Sequence, residues 1–431
     1  MDRNTTIGIV LIFLLLYAWA KMNTPTPEEL AEMQRVKDSI AMADSGIQDS
    51  LVIADQLPPQ ETVEDSTSRD SLQDLILQRD FGAFAGAASG DEKEVILENE
   101  VLRLKFSTKG GTIKSAQMKH YKRLLEDEEH NDIYLDLYLL DDVKNKFEYL
   151  FPVSNAPGGF VKSSDLFFVP TQSGSTLTLT ANLGSGRSIK QVYTLGKDYE
   201  MDYQLVLDGL DKVIDPNQNS IKLNWVNYLD KIEKNTKYEK IYSTVYYKEV
   251  GEDPSYCSQS RDDQEVLTEL PVKWISHSNQ FFNSTLLAED QFDAAVVETK
   301  MLDEKADNLK LLTSIINIPY ATQSSQTVKM KWYIGPNEFE RLKAQGFDME
   351  DIVPFGWSVF GTINRWVIRP IFSFLSNFFS NKGLVILLLT LVVKSLVYPL
   401  TYKMLYSQSK MGALKPQIEK VRDKFKDDQQ K

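Results

Sequence analysis

Hydrophobic positions along the chain take three textures. Two runs are almost continuously apolar, at residues 5–20 (TTIGIVLIFLLLYAWA) and 383–405 (GLVILLLTLVVKSLVYPLTYKML). About 20 such residues cross a bilayer as a helix. Between them, apolar and polar residues alternate in short segments: Leu102, Leu104 and Phe106; Leu177, Leu179, Ala181 and Leu183; Met201, Tyr203, Leu205 and Leu207; Ile221, Leu223 and Trp225; Val328, Met330, Trp332 and Ile334. A period of two is that of a half-buried strand. Turn residues separate the segments, among them Lys109-Gly110-Gly111, where glycine takes positive φ freely. The pattern predicts an antiparallel all-β sandwich domain over residues 95–340.

A third texture precedes the second apolar run. Over residues 357–380, Phe360, Ile363, Val367, Ile371, Phe374 and Phe378 share one helical face, while Arg365, Arg369, Ser373 and Asn377 share another. This predicts an amphipathic helix lying in a membrane interface. A further span is disfavoured, because Asn364, Arg365, Arg369 and Pro370 would enter hydrocarbon. Residues 338–345 are expected to be helical as well.

Residues 5–20 read as an uncleaved transmembrane anchor; a cleavable signal peptide is the competing reading. Residues 21–94 are acidic, poor in aromatics and punctuated by Pro25, Pro27, Pro58 and Pro59, which predicts a mostly disordered tether with a solvated helix at residues 28–42. Past Tyr402 come Lys403, Lys410, Lys415, Lys420, Arg422, Lys424 and Lys426. Positive residues mark the cytoplasmic side, and Arg3 does the same for the other end. Both termini are therefore expected in the cytoplasm and the β-domain across the membrane. Pro416 is expected to open a new helix.

The second apolar run holds an anomaly, Lys394. A lysine at the centre of a spanning helix costs roughly 2.5–3.5 kcal/mol on insertion scales. Thr390, Lys394, Tyr398 and Thr401 lie at i, i+4, i+8 and i+11, one face of a helix. Two readings stay open. If Pro399 bends or ends the helix, the lysine stem snorkels to the interface. Otherwise the seam faces a polar cavity.

Composition narrows the chemistry. The net charge of −13 argues against general nucleic-acid binding, so no sequence-specific nucleic acid is expected as a partner. The single cysteine, Cys257, allows no internal disulfide and no cysteine-based zinc cluster. His120, His130 and His277 show no ligand spacing and read as surface or satisfied core residues. No nucleophile elbow, Walker loop or His-Glu-x-x-His occurs, so neither enzyme activity nor a cofactor or metal is expected. Tyr238, Tyr242, Tyr246 and Tyr247 read as strand-surface aromatics, with a sugar cleft as the alternative. A membrane-tethered carbohydrate-binding β-sandwich is the rival function on that ground.

Several stretches, in order, resemble the YidC/Oxa/Alb family of membrane protein insertases, in its double-membrane-bacterial form. They are ENEVLRLKFSTKGGTIKSAQ, KWYIGPNEF, FGWSVFGTINRWVIRPIF, GLVILLLTLVVKSLVYPLT and SQSKMGALKPQIEKVRDKF. The resemblance implies a periplasmic galactose-mutarotase-like β-supersandwich, an interfacial helix, and five core helices enclosing a hydrophilic groove. Such a protein inserts and chaperones nascent membrane proteins in the inner membrane, alone or with the Sec translocon, with the ribosome and the lipid bilayer as further contacts. Residues 383–405 match the first core helix and residues 406–431 the start of a cytoplasmic hairpin. By position the groove cation is Lys394, where the family commonly has arginine. The remaining core helices are not in this sequence, so it reads as an N-terminal portion of an insertase.

Overall fold

The computed structural model describes residues 75–126, 131–154, 156–356 and 358–424. The expected anchor at 5–20, most of the tether at 21–94 and His130 lie outside the described residues. The chain divides into two compact units, meeting between Ile352 and Val353.

The first unit is built on three antiparallel sheets. A four-stranded meander uses Glu94–Glu98, Leu102–Ser107, Ile113–Glu126 and Asp132–Leu139. A nine-stranded sheet runs, in spatial order, Ser255–Tyr256, Thr244–Glu249, Val272–Ser278, Phe282–Phe292, Ser325–Pro336, Glu200–Asp208, Arg187–Leu195, Thr176–Gly184 and Val169–Ser173. The third sheet orders Asp263–Leu267, Ala294–Met301, Asn308–Pro319, Ser220–Asp230, Lys146–Pro152 and Phe160–Lys162.

The alternation read from sequence is the inward face of these strands. Leu177, Leu179, Ala181 and Leu183 are buried, as are Met201, Tyr203, Leu205 and Leu207. The larger sheets pack face to face through aromatic side chains. Phe147 and Trp225 of the six-stranded sheet meet Trp332 of the nine-stranded sheet at 4.4 and 6.0 Å between ring centroids. Phe106 joins the four-stranded sheet to this core against Tyr193, at 4.7 Å.

Polar groups inside the sandwich are largely paired. Tyr149 and Tyr203 hydroxyls lie 2.6 Å apart, and Tyr203 donates to Gln191 Oε1 at 2.8 Å. Gln191 Nε2 donates to Gly110 O at 2.9 Å, and Tyr193 Oη lies 2.9 Å from Gly111 O. The predicted Gly110-Gly111 turn, with φ of 79° and 65°, therefore also closes a buried network. Lys310 is fully buried, and its ammonium donates to Ser243 O at 2.5 Å and Gln259 O at 2.9 Å. Burial, helped by Lys240, pulls it down to about 8.

His277 is a core residue, but only partly satisfied. Its ring stacks on Trp225 at 3.9 Å and Nε2 meets Ser314 Oγ at 2.8 Å, while Nδ1 has no partner among the described residues. Burial pushes its pKa down to about 3. Between pH 3 and the ordinary imidazole value, the unfolded chain then binds a proton that the folded chain refuses. Stability must rise with pH through that window and fall on acidification, by about 1.4 kcal/mol per pH unit from this group. His277→Gln is expected to remove that slope from urea-unfolding free energies measured between pH 4 and 7. An unchanged difference between wild type and variant across that range would show that His277 titrates normally.

Two helices complete the first unit's outline and three build the second. Thr236–Ile241 (α1) is capped by Asn235, whose side chain accepts from Tyr238 N at 3.2 Å. Phe339–Gln345 (α2) follows the last strand and ends at Gly346. In the second unit, Ser358–Ile363 (α3) passes through a π-helical turn, Asn364–Ile368, into Arg369–Phe378 (α4). The wider turn sits just before Pro370, whose ring and missing N–H an unbroken α-helix accommodates poorly. Lys382–Lys424 (α5) is the longest element.

Candidate functional site

Asn381 starts α5. Its side chain accepts from Gly383 N at 2.9 Å and Leu384 N at 3.3 Å, satisfying amides that a helix N-terminus leaves free. Val385 is buried, and the α4 and α5 segments pack together at this corner. From here α5 runs for 43 residues, about 65 Å at 1.5 Å per residue. It is long and apolar enough to cross a membrane over part of that length. Hydrocarbon is about 30 Å thick, so a span beginning at Lys382 ends near Lys403 and the basic remainder projects beyond.

One expectation needs correcting here, and one open reading loses its premise. Pro416 does not open a new helix, and the helix does not end at Pro399: both lie inside α5. An isolated proline removes one backbone bond, which a long helix with its other turns intact tolerates, as spanning helices do. That continuity bears on Lys394. The snorkelling reading placed the lysine near a helix end at Pro399. In an unbroken helix Lys394 is twelve residues, about 18 Å, from Lys382, at mid-span.

Thr390, Lys394, Tyr398 and Thr401 are all exposed on α5 and fall within about 80° of one another around its axis. Thr390 Oγ1 donates to Ile386 O at 2.8 Å and Thr401 Oγ1 to Val397 O at 3.1 Å. Each hydroxyl proton is thus placed on the helix's own carbonyls, leaving oxygen lone pairs outward. Ser395 does the same to Leu391 O at 2.8 Å. Among the described residues no hydrogen bond or ion pair reaches the Lys394 ammonium. The helix offers a cation flanked by hydroxyl oxygens on an otherwise apolar surface.

One extension of this seam was not read from sequence. Tyr398, Tyr402 and Tyr406 form a ladder with centroids 6.3 and 6.4 Å apart, and Lys410 Nζ lies 4.5 Å from the Tyr406 ring. The signal was available, since all four lie at i+4 steps, but Tyr402 and Tyr406 fall in the stretch that was read for its charge.

The tyrosines of the rival reading do not form one surface. Tyr238 is exposed and Tyr242 half-buried at α1, whereas Tyr246 and Tyr247 are buried on Thr244–Glu249. That strand is covered on both faces, so the expectation of strand-surface aromatics is corrected for these two. The β-domain's clefts lie elsewhere. One of about 310 Å³ is lined by Lys114, Asn145, Phe147, Trp225 and Trp332; a neighbour of about 400 Å³ shares Lys114, Asn145 and Phe147. A third cavity, of about 20 Å³, holds His277, Asn227 and Asp230, enough room for a single water. Burial, with Asp142 and Asp141 nearby, raises Asp230 to about 6. Among the described residues no group of three or more His, Cys, Asp or Glu is arranged to hold a metal.

Fold and helix together define a membrane protein with a large β-domain outside the bilayer and a long apolar helix that carries a lysine within its apolar run. Comparison with known proteins gives the class a narrower identity. The family model described as YidC periplasmic domain matches residues 94–374, and that described as 60Kd inner membrane protein matches 374–431. The membrane protein insertase YidC of Parabacteroides distasonis is 34% identical over 99% of this chain and 67% of its own length. That of Porphyromonas gingivalis is 30% identical over 99% of this chain and 67% of its own length. The chain belongs to the YidC family of inner-membrane protein insertases. It spans about two thirds of the length of these relatives.

Solved structures resemble it only distantly. A galactose mutarotase-like protein from Lactobacillus casei covers 56% of this chain and all of its own, at 9% identity and a TM-score of 0.36. A YidC insertase crystal structure covers 84% of this chain and 70% of its own, at 14% identity and a TM-score of 0.27. The relatives support an insertase function and do not favour the carbohydrate-binding alternative. The family is one of insertases rather than enzymes, and its substrates are nascent membrane proteins.

Proposed function

We propose that Lys394 is the cation of a hydrated groove through which polar segments of nascent membrane proteins enter the bilayer, with Thr390, Tyr398 and Thr401 lining the same wall. The supporting observation is the lysine's place well inside an uninterrupted helix, with no partner among the described residues. A mid-bilayer ammonium is tolerated where water or an anion reaches it. The groove reduces the cost of carrying an acidic tail into hydrocarbon. The substrate's apolar helix then leaves sideways into lipid, driven by burial at about 25 cal/mol per Å². No nucleotide or metal enters this cycle.

In this reading the protein acts as insertase and chaperone, alone or with the Sec translocon. It is a multi-pass protein with both termini of this chain cytoplasmic and the β-domain periplasmic. The charge of Arg3 and of Lys403, Lys410, Lys415 and Lys420 supports that orientation. The basic end of α5 lies where a ribosome or anionic headgroups are met. The segment 358–378 lies in the interface, exposing Phe360, Trp366, Phe374 and Phe378.

Photo-crosslinking in cells tests the groove. A photoreactive residue at 398 is expected to capture a nascent single-span substrate, and one at Leu396, exposed on the opposite face of α5, to capture lipid. Equal capture from both positions would remove the seam as a substrate path.

A further inference from the structure

The chain just before the second unit is held in an unusual backbone. Gly346, Phe347 and Asp348 all have positive φ, at 79°, 55° and 56°. A glycine there is an ordinary helix exit for α2. A bulky Phe and then an Asp in the same region are outliers, and such strain persists only where surroundings impose it. They do so here. Trp274 Nε1 donates to Phe347 O at 2.8 Å. Lys248 Nζ bridges Asp348 Oδ2 at 2.9 Å and Glu252 O at 2.5 Å. Lys273 Nζ lies 4.4 Å from the Phe347 ring and is tied to Glu289 O at 2.6 Å and Asp290 O at 2.8 Å.

All this fixing leaves the Phe347 side chain 48% exposed. Two other large apolar residues are exposed in the loops it is tied to, Val250 at 41% and Leu270 at 37%. Val250 N donates to Pro271 O at 2.8 Å, joining those loops. The three residues therefore sit at one end of the nine-stranded sheet, where Glu249 pairs with Val272 and Val272 with Phe292. The turn Met349–Ile352 follows directly, and five residues lie between Ile352 and Ser358. Fully extended, the six Cα–Cα steps from Ile352 to Ser358 reach about 20 Å. The segment so reached exposes Phe360, Trp366, Phe374 and Phe378.

We propose that this end of the β-domain rests on the bilayer, with Phe347, Val250 and Leu270 entering the boundary between headgroups and acyl chains. The proposal rests on the interfacial reading of residues 358–378. The short tether argues for lipid as the partner, because it keeps these loops within reach of that interface. The charge around them is predominantly acidic: Glu249, Glu252, Asp253, Glu269, Asp290 and Asp348 stand beside the buried Lys248 and Lys273, so an anionic surface would repel these loops. Zwitterionic headgroups, which carry both signs, suit them better than anionic ones.

Cys257, the one cysteine of this sequence, is fully buried, so single introduced cysteines report cleanly in a background where any further cysteine of the complete protein is replaced by serine. Spin labels at Val250→Cys, Phe347→Cys, Phe281→Cys and Phe374→Cys are placed in the whole protein reconstituted in phosphatidylcholine–phosphatidylethanolamine vesicles. Phe281 is 46% exposed at the turn between Val272–Ser278 and Phe282–Phe292, the opposite end of the sheet. Collisions with oxygen are expected to dominate over those with a nickel chelate at 250, 347 and 374, and the reverse at 281. Adding Phe347→Ser to Val250→Cys is expected to shift the label at 250 toward the value at 281. Equal chelate access at 347 and 281, with 374 in lipid, would overturn the proposal and spare the interfacial helix. Chelate access at 374 as well would remove that helix reading and this proposal with it. Protection of 347 from both reagents would show a protein on these loops and overturn it too.

Discussion

Lys394→Ala in the complete protein is expected to slow insertion of a small substrate with an acidic translocated tail by roughly ten- to a hundredfold. A hydrogen bond involving a charged group contributes about 1.5–3 kcal/mol, and each 1.4 kcal/mol is a factor of ten. Lys394→Arg is expected to keep most of the activity, since the charge stays and the planar fork can meet a carboxylate bidentately. Lys394→Glu is expected to fall below alanine for acidic tails, through like-charge repulsion. A substrate whose tail carries no carboxylate separates this from a folding defect, because its insertion should change little in all three variants. Rates from a protease-protection assay in proteoliposomes check the series. Equal activity of lysine, alanine and arginine would leave the cation without an electrostatic role.

The second large effect belongs to the β-domain. Gly111→Ala is expected to destabilise it by about 3–5 kcal/mol. Gly111 has a φ of 65°, and a Cβ there would lie 2.4 Å from Gln191 Nε2 and 3.2 Å from Phe168 Cγ. The left-handed conformation costs an alanine about 1–2 kcal/mol. Displacing Gln191 then breaks its bond to Gly110 O and disturbs the acceptor shared by Tyr193 and Tyr203, and each buried group left unpaired costs about 1–3 kcal/mol. Gly174 is the comparison. Its φ is 58° but nothing lies within 4 Å, so Gly174→Ala should lose only the conformational cost of about 1–2 kcal/mol. Urea unfolding followed by fluorescence of the buried Trp225, Trp274 and Trp332 measures both. Similar losses in the two variants would show that the Gln191 network carries little stability.

The same residues show what could be read before the structure. Leu177, Leu179, Ala181 and Leu183 announce their strand because one face is wet and the other dry. Val272–Ser278 does not: it contains Lys273, Ser276, His277 and Ser278, yet all seven residues are buried. Neighbouring strands and loops cover it on both faces, so the period of two vanishes. Its polar atoms are paired across the chain, as Lys273 is with Glu289 O and Asp290 O. No local pattern records such partners. The helix α5 was recognisable from its apolar run, but its continuity was not. Proline reads locally as a break, whereas Pro399 and Pro416 each interrupt one bond in a helix of 43 residues. The polar seam was visible from spacing alone because helical geometry fixes which residues share a face. The strained loop at Phe347 left no comparable trace, since φ is set there by Trp274 and Lys248 from distant strands.

The central claim is that a charged side chain at mid-span faces water in the assembled protein. Lys394→Cys, with Cys257 buried and any further cysteine of the complete protein replaced by serine, allows a direct reading with a membrane-impermeant maleimide added from the cytoplasmic side of inverted membrane vesicles. Labelling at 394, with none at a cysteine placed at Leu396 on the opposite helix face, is the predicted result. A position 394 that reacts only with a lipid-soluble reagent would contradict it.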